Sequence, residues 1–327
     1  MITLLKKQRL MLVLFTAIIF PFFAQATTSL PPAERQSSLD GVIRVLKEQY
    51  VFPETALKVG EFLLQQEQKG ALADITTQEQ FAAKVGDLIR QHSGDGHLNL
   101  ALIAEQGGVS HRLKETDPLK NNNFAFEQAR ILPGNVGYLK LHKFWQTEEA
   151  HKVGHAALVF LTHSDHIVID LRDSGGGSPQ LVLHLVSHFV PEGTLLWEVF
   201  DRNGKSTEQI RSLAVPDSEL LKTKPLYILQ SEELVSAGEF FSYTLQQLGR
   251  AIVIGETSAG LAHYTGAAQV NDWLFVRIPM YRPVNPITGT NFEGVGVEPN
   301  IRVPAEMALY TALRLSLIHI SEPTRPY

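Results

Sequence analysis

Three short segments carry residue types suited to acyl transfer. Asp170-Leu171-Arg172-Asp173-Ser174-Gly175-Gly176-Gly177 ends an apolar run in glycines, whose bare backbone lets a ligand approach. Val235-Ser236-Ala237-Gly238-Glu239 sets a serine where a helix should open, and Phe292-Glu293-Gly294-Val295-Gly296-Val297-Glu298-Pro299 takes an acid into a glycine-rich turn. A serine nucleophile, free backbone N–H groups for an oxyanion and an acid that orients a base are the parts of a hydrolytic site. Singly, each signal is weak. A serine at a helix start is commonly only a cap, and a triple glycine is often only a tight turn. Neither the full Gly-x-x-x-x-Gly-Lys-Ser/Thr phosphate-binding loop nor the spaced glycines of a dinucleotide site occur.

The elements needed to bring these segments together can be read around them. Val136–Leu141, His166–Leu171, Pro225–Leu229 and Ala251–Gly255 have the length and apolar content of buried strands. Between them, Glu148–Leu161, Pro179–Phe189 and Ser236–Leu248 read as helices. That alternation predicts an α/β fold with a mainly parallel sheet and crossover helices, whose sites gather at the carboxyl ends of the strands. Leu195–Phe200 and Trp273–Tyr281 look like added antiparallel β structure. Ahead of the sheet, residues 38–93 show three apolar helical stripes that end at Ser93-Gly94-Asp95-Gly96-His97, and Leu98, Leu100 and Leu102 then alternate like a strand. The expected division is a small N-terminal three-helix domain over residues 27–110 and an α/β domain over 123–315, with a polar loop over 103–123.

The chain has 327 residues, a net charge of −5 and no long basic run, which argues against a nucleic-acid partner. It has no cysteine, which excludes disulfide and thiol chemistry. Residues 1–26 read as a signal peptide: Lys6, Lys7 and Arg9, an apolar stretch from Leu10 to Phe23, then Ala24-Gln25-Ala26. Secretion, to a periplasm, is the expectation, with no membrane anchor once the signal is removed. At the other end, a helical pattern over Pro304–Leu315 is expected to stop. Residues 316–327 resemble translated adapter DNA and are expected to be non-native.

Taken jointly, the motifs resemble the serine peptidase family that contains the tail-specific (C-terminal processing) proteases, the tricorn core protease and the interphotoreceptor retinoid-binding protein. The matching pieces are Asp170–Gly177, Val235–Glu239, Arg250–Thr257 and Asn285–Pro299, with Asp95-Gly96-His97 and the helical start. The resemblance implies a crotonase-like core, no cofactor or metal, and a peptide or protein substrate. Tail-specific proteases pair the serine with a lysine some two dozen residues on, but no lysine follows Lys224, and the place holds Gly260-Leu261-Ala262-His263. The interval from His97 to Gly134 is also too short for the PDZ domain of that branch. The resemblance therefore favours the tricorn-like design: Ser236 as nucleophile, His97 as base and Glu293 as its orienting acid. Ala237 with Gly175 or Gly176 would supply the oxyanion hole, and His263 is the alternative base. Tricorn has a relay serine where this chain has Gly96.

The retinoid-binding relatives imply a second reading, a non-catalytic carrier of an apolar ligand, with Phe189, Trp197, Phe200, Phe240, Trp273 and Phe275 as candidate lining. Other polar residues read as structural: Asp170 with Arg172 as a strand-end pair, and Arg282 in a surface ion pair. His151 and His155 have metal-like spacing but no evident third ligand, so they read as a solvated helix face. The sequence sets no oligomeric state.

Overall fold

The computed structural model describes residues 28–103 and 118–321. Three helices come first: α1 (Pro32–Gln49), α2 (Pro53–Gln68) and α3 (Gln78–Ser93). Prolines open the first two, where a missing N–H costs nothing, and the Thr77 hydroxyl caps α3 by accepting the N–H of Gln80. Gly94, left-handed at φ 71°, ends α3 and turns the chain through Asp95–His97 into β1 (Asn99–Leu102).

The remaining strands are β2 (Phe126–Leu132), β3 (Val136–Leu141), β4 (His166–Asp170), β5 (Leu195–Phe200), β6 (Ser206–Arg211), β7 (Leu226–Gln230), β8 (Ile252–Gly255), β9 (Tyr264–Gln269), β10 (Leu274–Val284) and β11 (Ile301–Arg302). Helices α4 (Glu148–Phe160), α5 (Pro179–Val186), α6 (Ala237–Gln247) and α7 (Ala305–Ser321) complete the main elements. Strands β11-β8-β7-β4-β3-β2 form one sheet, parallel except for the β2–β3 hairpin. Its central strands are buried throughout, as a sheet covered on both faces requires. Ile167, Ile169 and Ile228 face α4, α5 and α6, whereas Val168, Tyr227 and Ile254 face Ala308 and Ala312 of α7.

A second sheet is antiparallel: β1-β10-β5-β6, with β9 also on β10. The expected added strands at Leu195–Phe200 and Trp273–Tyr281 belong to it, so the fold is a mixed α/β structure with two sheets. The three N-terminal helices share a core with this second sheet: Leu39, Leu46, Leu63, Phe81 and Val85 pack with Leu274, Val276 and Ile278 of β10. Helix α7 runs to Ser321, past the stop expected at Leu315, and Ser316 is buried with its hydroxyl donating to the Leu313 carbonyl. The signal segment 1–26, residues 104–117 of the polar loop and residues 322–327 of the tail lie outside the described residues. Among the described residues no helix is long and apolar enough to cross a membrane.

Candidate active site

Ser236 stands between β7 and α6, in the N-cap position, with φ 52° and ψ −117°. A non-glycine residue held at positive φ costs about 1–3 kcal/mol and persists only where its surroundings fix it. The fixing group is Glu239. Fully buried, it accepts the N–H groups of Ser236 (2.7 Å), Gly260 (2.6 Å) and Leu261 (2.9 Å) and the Ser258 hydroxyl (2.6 Å). Burial raises its carboxyl above the ordinary range even so. One side chain thus pins the serine turn to the loop that leads to His263. Nothing in the linear pattern points to that role, because a Glu at the third helical position reads only as half of a capping box.

The glycine turn after β4 lies against this serine. A Cβ on Gly176 (φ 72°) would come within 2.9 Å of the Ser236 Cβ and the Val235 carbonyl oxygen. The expected oxyanion donors separate at this point. Gly175 already gives its N–H to the His142 carbonyl (2.9 Å), which removes it from the donor pair. Among the described residues no partner takes the N–H of Gly176 or of Ala237. Asp170 and Arg172 pair as expected at the end of β4 (2.6 and 2.9 Å), and Arg172 also holds the Ala305 carbonyl.

Both histidine candidates reach the same cleft, of about 430 Å³, which Ser236, Ala237 and Gly175 also line. His97 enters just before β1 and His263 just before β9, and both are buried. Between them sit two carboxylates. The Nδ1 of His263 is 3.3 Å from Glu293 Oε2 and 3.5 Å from Asp95 Oδ2; the Nδ1 of His97 is 3.6 Å from Asp95 Oδ1 and 3.9 Å from Glu293 Oε2. Glu293, expected to serve His97, therefore lies closer to His263. Asp95 is the acid that sequence reasoning missed, although Asp95-Gly96-His97 was in view. Its carboxylate folds back to accept the His97 N–H (2.9 Å) and takes the Tyr50 hydroxyl (2.8 Å).

The electrostatics of the two acids diverge. Burial pushes Asp95 upward, but the facing His263 and His97 side chains and the Tyr50 hydroxyl outweigh it and hold the carboxyl well below its usual range. Burial dominates at Glu293 and raises it, against the nearby His263 and the Ala262 N–H (2.6 Å). Two acids with different proton affinities thus back two imidazoles, and among the described residues neither ring nitrogen of buried His97 has a hydrogen-bond partner. One ligand atom from each of these four residues lies within 4.8 Å of the others, so the same groups meet the spacing of a metal site.

Lys143, also missed, lines the cleft from the segment after β3 and donates to the Gly175 carbonyl (2.6 Å). Burial first, and Arg277 second, lower its pKa. The aromatic lining expected of a carrier is dispersed instead. Phe240 is the one that reaches the cleft, Phe189 and Trp197 are buried in the core beneath α5 and α6, Trp273 packs on the N-terminal helices, Phe275 is buried on β10, and Phe200 lies under the Arg282 guanidinium. Among the described residues Arg282 makes no ion pair, and its guanidinium lies over the Phe200 ring instead.

A sequence profile described as peptidase family S41 matches residues 135–303, which span β3 to β11. The chain belongs to peptidase family S41. Within the part compared, it is 25% identical over 197 residues to the carboxy-terminal processing protease CtpB of Bacillus subtilis, covering 60% of this chain and 39% of that protein. The chain spans about two-fifths of the length of the curated relatives it matches. Among solved structures it resembles the photosystem II D1 C-terminal processing protease (TM-score 0.54, 14% identity, 85% of this chain and 94% of that one). It also resembles the tricorn protease (TM-score 0.57, 11% identity, 88% and 37%). At these identities the structural likeness carries the S41 fold, and the roles of side chains rest on the geometry above.

Proposed function

We propose that this S41 chain is a secreted serine peptidase in which Ser236 is the nucleophile and His97 the general base. The observation that carries the reading is that a serine on a strained turn shares one cleft with two buried imidazoles, each backed by carboxylates. The Ser236 hydroxyl attacks the scissile carbonyl as its proton passes to His97, whose cation is stabilised by Asp95 and Glu293. The N–H groups of Ala237 and Gly176 receive the developing oxyanion. His97 returns its proton to the leaving amine, and water then releases the acyl group by the reverse sequence. The cleft volume suits a peptide segment, and peptide or protein processing is what the relatives' names describe. The extracytoplasmic location rests on the signal pattern of residues 1–26.

The shorter approach of Glu293 to His263 favours a second reading in one respect: His263 as the base. An activated phosphonate should label Ser236 in the wild-type protein and leave Ser236→Ala untouched. Peptide hydrolysis surviving undiminished in Ser236→Ala would end the proposal. In the same assay His97→Gln should lower kcat by about 100-fold or more. A loss confined to His263→Gln would move the base to His263, and a loss confined to Lys143→Met would replace both with a serine–lysine pair.

A further inference from the structure

Away from the cleft, α4 and α5 lie side by side and bring four imidazoles together. His151 and His155 stand one turn apart on α4; His184 is on α5, and His188 lies just beyond its end. The first pair read as a solvated face because no third ligand was evident in the sequence. The second helix supplies it.

His188 is fully buried and its Nδ1 is 2.9 Å from the His184 carbonyl oxygen. A carbonyl only accepts, so Nδ1 carries the proton and Nε2 presents a lone pair. That lone pair faces His155 Nδ1 at 3.0 Å. His184 stands edge-on to His188, with ring centroids 5.1 Å apart, and its buried Nε2 has no hydrogen-bond partner among the described residues. One ring nitrogen each from His155, His184 and His188 lies within 4.8 Å of the other two. Nitrogens on a tetrahedral cation at ~2.0–2.1 Å stand roughly 3.3 Å apart, so small rotations of these rings close the site. His151 stacks flat on His184 (5.0 Å, 7°) and fixes its ring plane.

We propose that His155, His184 and His188 form a binding site for a divalent transition-metal cation, separate from the Ser236 cleft. An all-imidazole donor set suits zinc, copper or nickel rather than magnesium or calcium, which prefer oxygen ligands. The His188 bond to a carbonyl is the outer partner that fixes a ligating histidine's tautomer. Bound metal would clamp α4 to α5, the helix that begins directly after the glycine turn.

Zinc binding to the untagged protein, followed by calorimetry with metal analysis after dialysis, tests this. The wild type should bind zinc and gain thermal stability from it. His155→Gln and His184→Gln should each bind one zinc fewer per chain, or bind it at least about 100-fold more weakly. His155 is only half-buried, so that variant keeps the test open if His184→Gln misfolds. His97→Gln should retain this zinc. No zinc binding by the wild type, or unchanged stoichiometry and affinity in His155→Gln, would overturn the proposal. So would a loss seen only in His97→Gln, because the metal would then belong to the Asp95–His97–His263–Glu293 cluster.

Discussion

Glu239 makes the strongest residue-scale argument, because one buried carboxylate satisfies three backbone N–H groups and a hydroxyl. Glu239→Gln keeps the shape but gives up acceptor capacity and adds two donors beside existing donors. Each buried group left unmet costs about 1–3 kcal/mol, so urea denaturation should show a loss of about 3 kcal/mol. Phosphonate labelling of Ser236 should slow as well, and an unchanged labelling rate would mean that Glu239 supports the fold but not the serine's pose. Asp95 gives a prediction about acid. Its folded pKa lies below its ordinary value of 3.8, so the unfolded state takes up the proton first. The stability it contributes is present above that value and is lost as pH falls below it. Asp95→Asn should therefore be less stable than wild type near neutrality, with the gap closing as pH drops through the acid range. A gap independent of pH would contradict this. Ser236, His97, His263 and Glu293 were all visible as candidates in sequence. Asp95 and Glu239 were quoted in motifs without a role, because a linear sequence does not show which carboxylate is buried or what donors converge on it. Lys143 was invisible, since its place beside Gly175 depends on how β3 and β4 align.

At the scale of elements, the turn after β4 and the start of α6 fit against each other with no room for a methyl group. Gly176→Ala would set a side chain on a residue at φ 72° and push it into Ser236 and the Val235 carbonyl. The combined strain and displacement should cost about 2 kcal/mol or more. kcat should fall more than KM rises, because the proposed oxyanion donor moves with the turn. Equal kcat in this variant would remove Gly176 from the oxyanion hole. The buried strands β3, β4, β7 and β8 and helices α4 to α6 were legible to within a few residues, because continuous apolar runs and amphipathic stripes encode them. Strands β2, β6 and β9 were not. β2 and β6 are largely exposed and β9 is mostly half-buried; all three take their strand form from pairing with β3, β5 and β10, which leaves little apolar alternation to read.

For the whole molecule, the decisive fact is that the groups around the cleft come from both structural layers. Ser236 and the glycine turn belong to the parallel sheet, whereas Asp95, His97 and His263 are held by the antiparallel sheet and the helices packed on it. The pairing of β1 with β10, which sets Asn99 opposite Arg277, joins residues from opposite ends of the chain. Sequence patterns suggested both strands but contained nothing to match them. If the site depends on that joint core, weakening it far from the cleft should disable the chemistry. Leu274 is fully buried among the N-terminal helices and the second sheet. Leu274→Ala should lower stability by about 2–5 kcal/mol through lost burial and a residual cavity. In urea, loss of helical circular dichroism and loss of phosphonate labelling at Ser236 should share one midpoint, shifted down together in the variant. Labelling that outlasts the helical signal would show that the serine and its base are assembled without the N-terminal helices, and would shift the base's support to the parallel sheet alone.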